Sequence, residues 1–136
     1  MKINILSSDH RGLKYENAAG GVIKGKMNGN DISLPAWVYR VDRELVLAFA
    51  TDTDDPSKFT KVAMAIPTEE LGQEVELPKP GHLEVRLEGK DNFATRGNLL
   101  ISHDPAGKNY HGRVEGYFSN GDNVKSLVAI LSLSYE

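Results

Sequence analysis

The chain contains no cysteine. Disulfide staples and thiolate metal sites are thereby excluded, but the compartment is not, because a domain with a full core needs no disulfide. Aromatic residues are scarce at 7%, with one tryptophan. No sign of charge dominates: 16 basic and 19 acidic residues are well mixed, for a net charge of −3. A nucleic-acid binder needs a concentrated basic footprint, and none is visible, so no nucleic-acid partner is expected. No apolar run reaches the length of a membrane span. Residues Met1 to Ser7 carry too little apolar content for a signal peptide. If Met1 is the native start, the expectation is a cytoplasmic protein; otherwise a removed signal stays open.

Chemistry-bearing patterns are equally thin. The glycines of Gly20-Gly21-Val22-Ile23-Lys24-Gly25-Lys26 lack the strand before and the helix after that a phosphate loop requires. Asp52, Asp54 and Asp55 have the opening spacing of a calcium loop, without the glycine and closing glutamate that should follow. Ser7, Ser8, Asp9 and His10 bring a hydroxyl, a carboxylate and an imidazole close in sequence, with no nucleophile-elbow glycines around them. His103, Asp104 and His111 flank one loop and suggest a metal-assisted hydrolase. Their alternation, however, places the two histidines on opposite faces. No catalytic residue, metal site or cofactor is therefore expected, and the chain reads as non-enzymatic.

What the sequence does contain is alternation. From Asn109 to Ser119, Tyr110, Gly112, Val114, Gly116 and Phe118 share one face, while His111, Arg113, Glu115 and Tyr117 share the other. A period of two is the signature of a strand. Glycines on the apolar face leave room for a bulky neighbour or mark a bend. Asn120-Gly121-Asp122-Asn123 supplies a turn. Lys125 to Tyr135 then returns, apolar on both sides at its middle, as suits a strand covered on both faces. Upstream, Thr95 to His103 points Leu99 and Ile101 inward, and Asp104 to Lys108 forms a hairpin loop around Pro105 and Gly107. Together these make a three-strand meander.

Earlier segments follow the same grammar. Residues 1–7 read as a short strand and Ser8 to Gly12 as a turn. Asn17 to Gly21 reads as a loose loop. Val22 to Met27, Asn28-Gly29-Asn30 and Asp31 to Leu34 form a first hairpin, and Ala36 to Val41, Asp42-Arg43 and Glu44 to Thr51 a second. Residues 58–66 fit either period. Asp55 and Pro56 suit a helix start, whereas Thr60, Val62, Met64 and Ile66 alternate as a strand; the strand is favoured because every neighbouring segment is already β. Glu76 to Gly81 reads as a rigid connector. Leu83, Val85 and Leu87 alternate with Glu84, Arg86 and Glu88, as in a strand dry on one side and wet on the other. The sum is one all-β domain over residues 1–136. It is expected to be an antiparallel β-sandwich or flattened barrel of about 8–10 strands ending in the meander.

One layout recurs through the chain: Gly29-Asn30-Asp31-Ile32-Ser33-Leu34, Ala65-Ile66-Pro67, Gly97 to Asp104, and Gly112-Arg113-Val114-Glu115-Gly116-Tyr117-Phe118. It resembles the small β-sandwich domains of uncharacterised bacterial proteins in which "G-x-L-x-I…D" precedes "G-x-x-x-G-x-F-x". Members of that group are mostly lipoproteins, and this chain lacks both their signal and their lipid-attachment cysteine. The resemblance implies a β-sandwich and no active site.

The leading functional expectation is a protein-interaction module, an adaptor or an immunity-type binder, whose partner is another protein. Its contact surface is expected at His111, Arg113, Glu115 and Tyr117, since exposed Tyr and Arg favour contact surfaces. The alternative is a barrel that carries a small apolar ligand in a cavity lined by Trp37, Tyr39, Phe49 and Met64.

Overall fold

A computed structural model describes residues 15–51 and 58–136. The expected N-terminal strand, the Ser7–His10 group and the Asp52–Ser57 loop lie outside the described residues. Among the described residues, all the regular structure is antiparallel β apart from a turn of 3-10 helix at Thr68–Glu70. In chain order the strands are β1 (Glu16–Asn17), β2 (Gly20–Met27), β3 (Asn30–Val41), β4 (Glu44–Ala50), β5 (Thr60–Pro67) and β6 (Glu74–Leu77). They continue with β7 (His82–Leu87), β8 (Lys90–Phe93), β9 (Arg96–Asp104), β10 (Asn109–Tyr117) and β11 (Ser126–Ser134). They pair in the order β6-β9-β10-β11-β2-β3-β4-β5-β7-β8, with β1 added on β3. The sheet curls so that its two halves bury one core, as a flattened barrel does.

The meander forms as the alternation predicts. Tyr110, Val114, Gly116 and Phe118 are buried, and His111 and Arg113 are exposed. Gly116 leaves room for Leu83 of β7: a Cβ there would collide with the Leu83 side chain, with Ala94 and Leu77 close behind. The first hairpin turns at Asn28 (φ 55°) and Gly29 (φ 81°), the left-handed pair that an Asn-Gly turn requires.

Of four expectations, three change and one, the favoured strand at residues 60–67, holds. The segments read as two hairpins share one continuous strand, because β3 runs through Pro35. It pairs with β2 as far as Pro35 and with β4 from Ala36, with a register shift between Ala36 and Val38. Proline cannot donate to the ladder and a bulge bends the strand, so β3 passes from one half of the sheet to the other there. Gly20 opens a strand instead of lying in a loose loop. Residues 60–67 form the favoured strand, interior to the sheet, with Val62, Met64 and Ile66 in the main core and Ala63 and Ala65 in a second cluster.

The fourth concerns the strand that was expected to be wet on one side. Glu84 is buried at 2% exposure, because the outer face of β4, β5 and β7 is itself packed: Val38, Val46, Ala48, Ala63 and Ala65 form the second cluster, with Tyr15 and Trp37 against it. Lys61 Nζ meets Glu84 Oε2 at 3.0 Å, and His82 Nε2 stands 3.7 Å from Glu84 Oε1. A chain of asparagines ties off one end of the fold. Asn92 Nδ2 donates to Asn123 Oδ1 at 2.9 Å, and Asn123 Nδ2 donates to Leu87 O at 2.7 Å. Asn28 Oδ1 accepts the Lys125 N–H at 2.6 Å.

Candidate interaction face

The register of β6, β9, β10, β11, β2 and β3 sets the outward side chains in rows. One row runs Glu74, Leu100, Arg113, Ile130, Lys24, Ser33; the next runs Glu76, Asn98, Glu115, Val128, Lys26, Asp31. The expected contact residues lie on this face, in adjacent rows of β10. Arg113 Nη2 donates to Glu74 Oε2 at 2.9 Å. The Tyr117 hydroxyl donates to Glu115 Oε2 at 2.5 Å, and the Arg96 guanidinium stacks over the Tyr117 ring at 4.1 Å. Glu115, accepting that hydrogen bond, raises the Tyr117 phenol above its ordinary pKa, because the bond favours the protonated form. His111 Nδ1 lies 3.3 Å from Asn109 Oδ1, at the far end of the strand.

Sequence reasoning missed the centre of this face. The middle of β11 was expected to be covered on both sides, yet Ile130 is 67% exposed and Val128 47%. The reason lies in the topology: no strand or helix of the described residues packs over this side of the sheet, while Leu127, Ala129, Leu131 and Leu133 fill the core on the other. A hollow of about 260 Å³ lies between Ile130, Val128, Arg113, Glu115, Asn98 and Lys24. The signal was present in the sequence as two β-branched residues between serines.

The four residues of the alternative cavity are not brought together. Phe49 and Met64 are sealed in the main core, Tyr39 packs at its margin against Tyr135, and Trp37 belongs to the second cluster with its ring edge-on to Phe59. His103 and His111 sit on opposite faces as the alternation requires, since His103 pairs with Tyr110 and His111 with Ser102. His103 Nε2 lies 2.6 Å from the Tyr135 hydroxyl, and its ring stacks on Tyr110 at 4.5 Å. Asp104 accepts the Gly107 N–H instead of joining either histidine. Among the described residues no three His, Asp or Glu side chains converge as metal ligands would, and no helix is long and apolar enough to cross a membrane. Comparison with protein-family models, curated proteins and solved structures finds no match to this chain.

Proposed function

We propose that this chain is a non-enzymatic protein-interaction module, of adaptor or immunity type, whose contact surface is the outward face of β9, β10, β11 and β2. The observation that carries the reading is the exposure of Ile130, at 67%, in the middle of a regular ladder and rimmed by Arg113, Glu115 and Lys24. Uncovered β-branched residues inside a polar rim are what a docking surface presents before its partner arrives. Arg113 and Tyr117 add the residue types that anchor such contacts, and each is already oriented by a neighbour, Glu74 and Glu115, which lowers the ordering cost of binding.

Affinity capture from the source cells, quantified by mass spectrometry, tests this. A protein held near stoichiometry by the wild type and by Val41→Ser, on a different part of the surface, should be lost by Ile130→Asp and by the Arg113→Ala/Tyr117→Ala pair. Equal retention by all four forms, or no protein above background, overturns it.

A further inference from the structure

The outward charges of this face are sorted across the strands. Carboxylates Glu74 and Glu76 stand on β6, and ammonium groups Lys24 and Lys26 stand on β2, with β9, β10 and β11 between. Leu100 and Ile130 flank Arg113 in one row, and Asn98 and Val128 flank Glu115 in the next. β10 is therefore the midline between an acidic strand, β6, and a basic one, β2, with a partly apolar strip in between. Beyond β2, Asp31 of β3 pairs with Lys26 at 2.6 Å and leaves Lys24 as the cation of β2 without a carboxylate in its row of β3.

We infer that the occupant of this face is a second copy of the chain, packed sheet against sheet about a two-fold axis parallel to β10. The inference rests on reading the face as a protein-binding surface and names the partner. A two-fold rotation about β10 keeps each row at its height and exchanges its ends. Glu74 and Glu76 of one copy then face Lys24 and Lys26 of the other, and Leu100 comes over Ile130. An in-plane axis across the strands would instead set Glu74 over Glu76 and Lys24 over Lys26, so charge selects the parallel axis. Arg113 then approaches its own symmetry mate, but Glu74 already neutralises each at 2.9 Å, and Glu115 lies one row away.

The size suits a reversible dimer. The five strands that overlap about this axis, β6, β9, β10, β11 and β2, are 4 to 9 residues long. At about 3.3 Å per residue and about 4.8 Å apart they offer roughly 600 Å² of flat sheet. A standard interface takes about 800 Å² of accessible surface from each partner, and accessible area exceeds flat area. With only Val128 and Ile130 strongly exposed at its centre, the face is too polar for an obligate dimer core.

Sedimentation equilibrium on the full chain decides the matter, with thermal melts to establish that each variant folds. The wild type should associate to a dimer across a concentration series, and Ile130→Asp should remain monomeric. K24E/K26E and E74K/E76K should each weaken self-association at least about tenfold, a loss of about 1.4 kcal/mol. An equimolar mixture of these two should restore a dimer containing one copy of each. A wild type monomeric throughout overturns the inference, as does a dimer whose charge-reversed halves fail to complement. A monomer that still captures a different protein in an Ile130-dependent way removes self-association and leaves the wider reading standing; a monomer that captures nothing removes both.

Discussion

Lys61 Nζ and Glu84 Oε2 lie 3.0 Å apart with their side chains 1% and 2% exposed, joining β5 to β7 on the side of the sheet away from the main core. Among the described residues Glu84 Oε1 has no hydrogen-bond partner, and His82 Nε2 stands 3.7 Å from it. Such a pair is weak as a net stabiliser, since both charges were taken from water, but breaking it strands a buried charge. Glu84→Ala should therefore cost roughly 3–5 kcal/mol in denaturant unfolding. A Lys61→Met/Glu84→Leu double variant should lose much less than the sum of its single changes. An additive double variant would show that the two side chains are not coupled.

Burial pushes the Glu84 carboxyl up, but His82 and Lys61 beside it outweigh that and hold it below the ordinary carboxylate range. A carboxyl with a lowered folded pKa contributes stability that is fully present above its unfolded value, and that stability is lost as pH falls through the folded one. Urea midpoints followed from about pH 6 down to about pH 3 should fall more steeply for the wild type than for Glu84→Gln. Parallel curves would assign acid sensitivity to other groups.

Asn92 is 1% exposed and meets the 118–125 loop with both ends of its amide: Nδ2 donates to Asn123 Oδ1, and Oδ1 accepts the Asn123 and Val124 N–H groups at 3.3 Å. Asn92→Ala should cost roughly 1–3 kcal/mol, because it leaves buried donors unsatisfied. Amide hydrogen exchange at Asn123 and Val124 should accelerate selectively. Exchange rates unchanged at those two sites would mean that the loop is held by its own turn.

A Cβ at Gly116 would collide with Leu83 Cδ2, so any added side chain must displace that leucine. Gly116→Val should destabilise by about 1–3 kcal/mol through overpacking. In a Leu83→Ala background the same change should cost measurably less. Equal costs in both backgrounds would locate the strain in the strand backbone instead of the leucine.

The meander was legible because its strands expose one face, and alternation then reports burial directly. Tyr110, Val114 and Phe118 against His111 and Arg113 is such a case. Lys61 and Glu84 were not legible. An ionisable residue in an alternating strand reads as solvated unless its face is known to be buried, and here that face also carries a second buried cluster from β3, β4 and β5, with Tyr15 and Trp37 packed against it. The small side chains Ala48, Ala63 and Ala65 were the available hint, since they let a second layer approach. The reverse error befell Val128 and Ile130, whose apolar character implied a cover that no described element supplies. His111, Arg113, Glu115 and Tyr117 were placed on one face correctly, yet the apolar centre beside them becomes visible only when β11 is laid against β10. The continuity of β3 through Pro35 was hidden because a proline ordinarily ends a strand, and here it marks the passage from one half of the sheet to the other.

The position of β11 has a consequence for synthesis. It is the strand that joins β10 to β2, pairing residues 126–134 with residues 20–27. Before residues 126–134 leave the ribosome, β10 and β2 each present an unpaired edge, and the β6-β9-β10 ribbon shares no ladder with the ribbon that β2 opens. Unpaired edges of this kind invite pairing with other chains unless something shields them. The closing contact spans about a hundred residues of chain, a non-local pairing of the kind that folds on the millisecond-to-second scale. The interval between emergence of residue 117 and emergence of residue 134 is thus the window in which both edges are open and a nascent copy is most exposed to pairing with its neighbours on the same polysome.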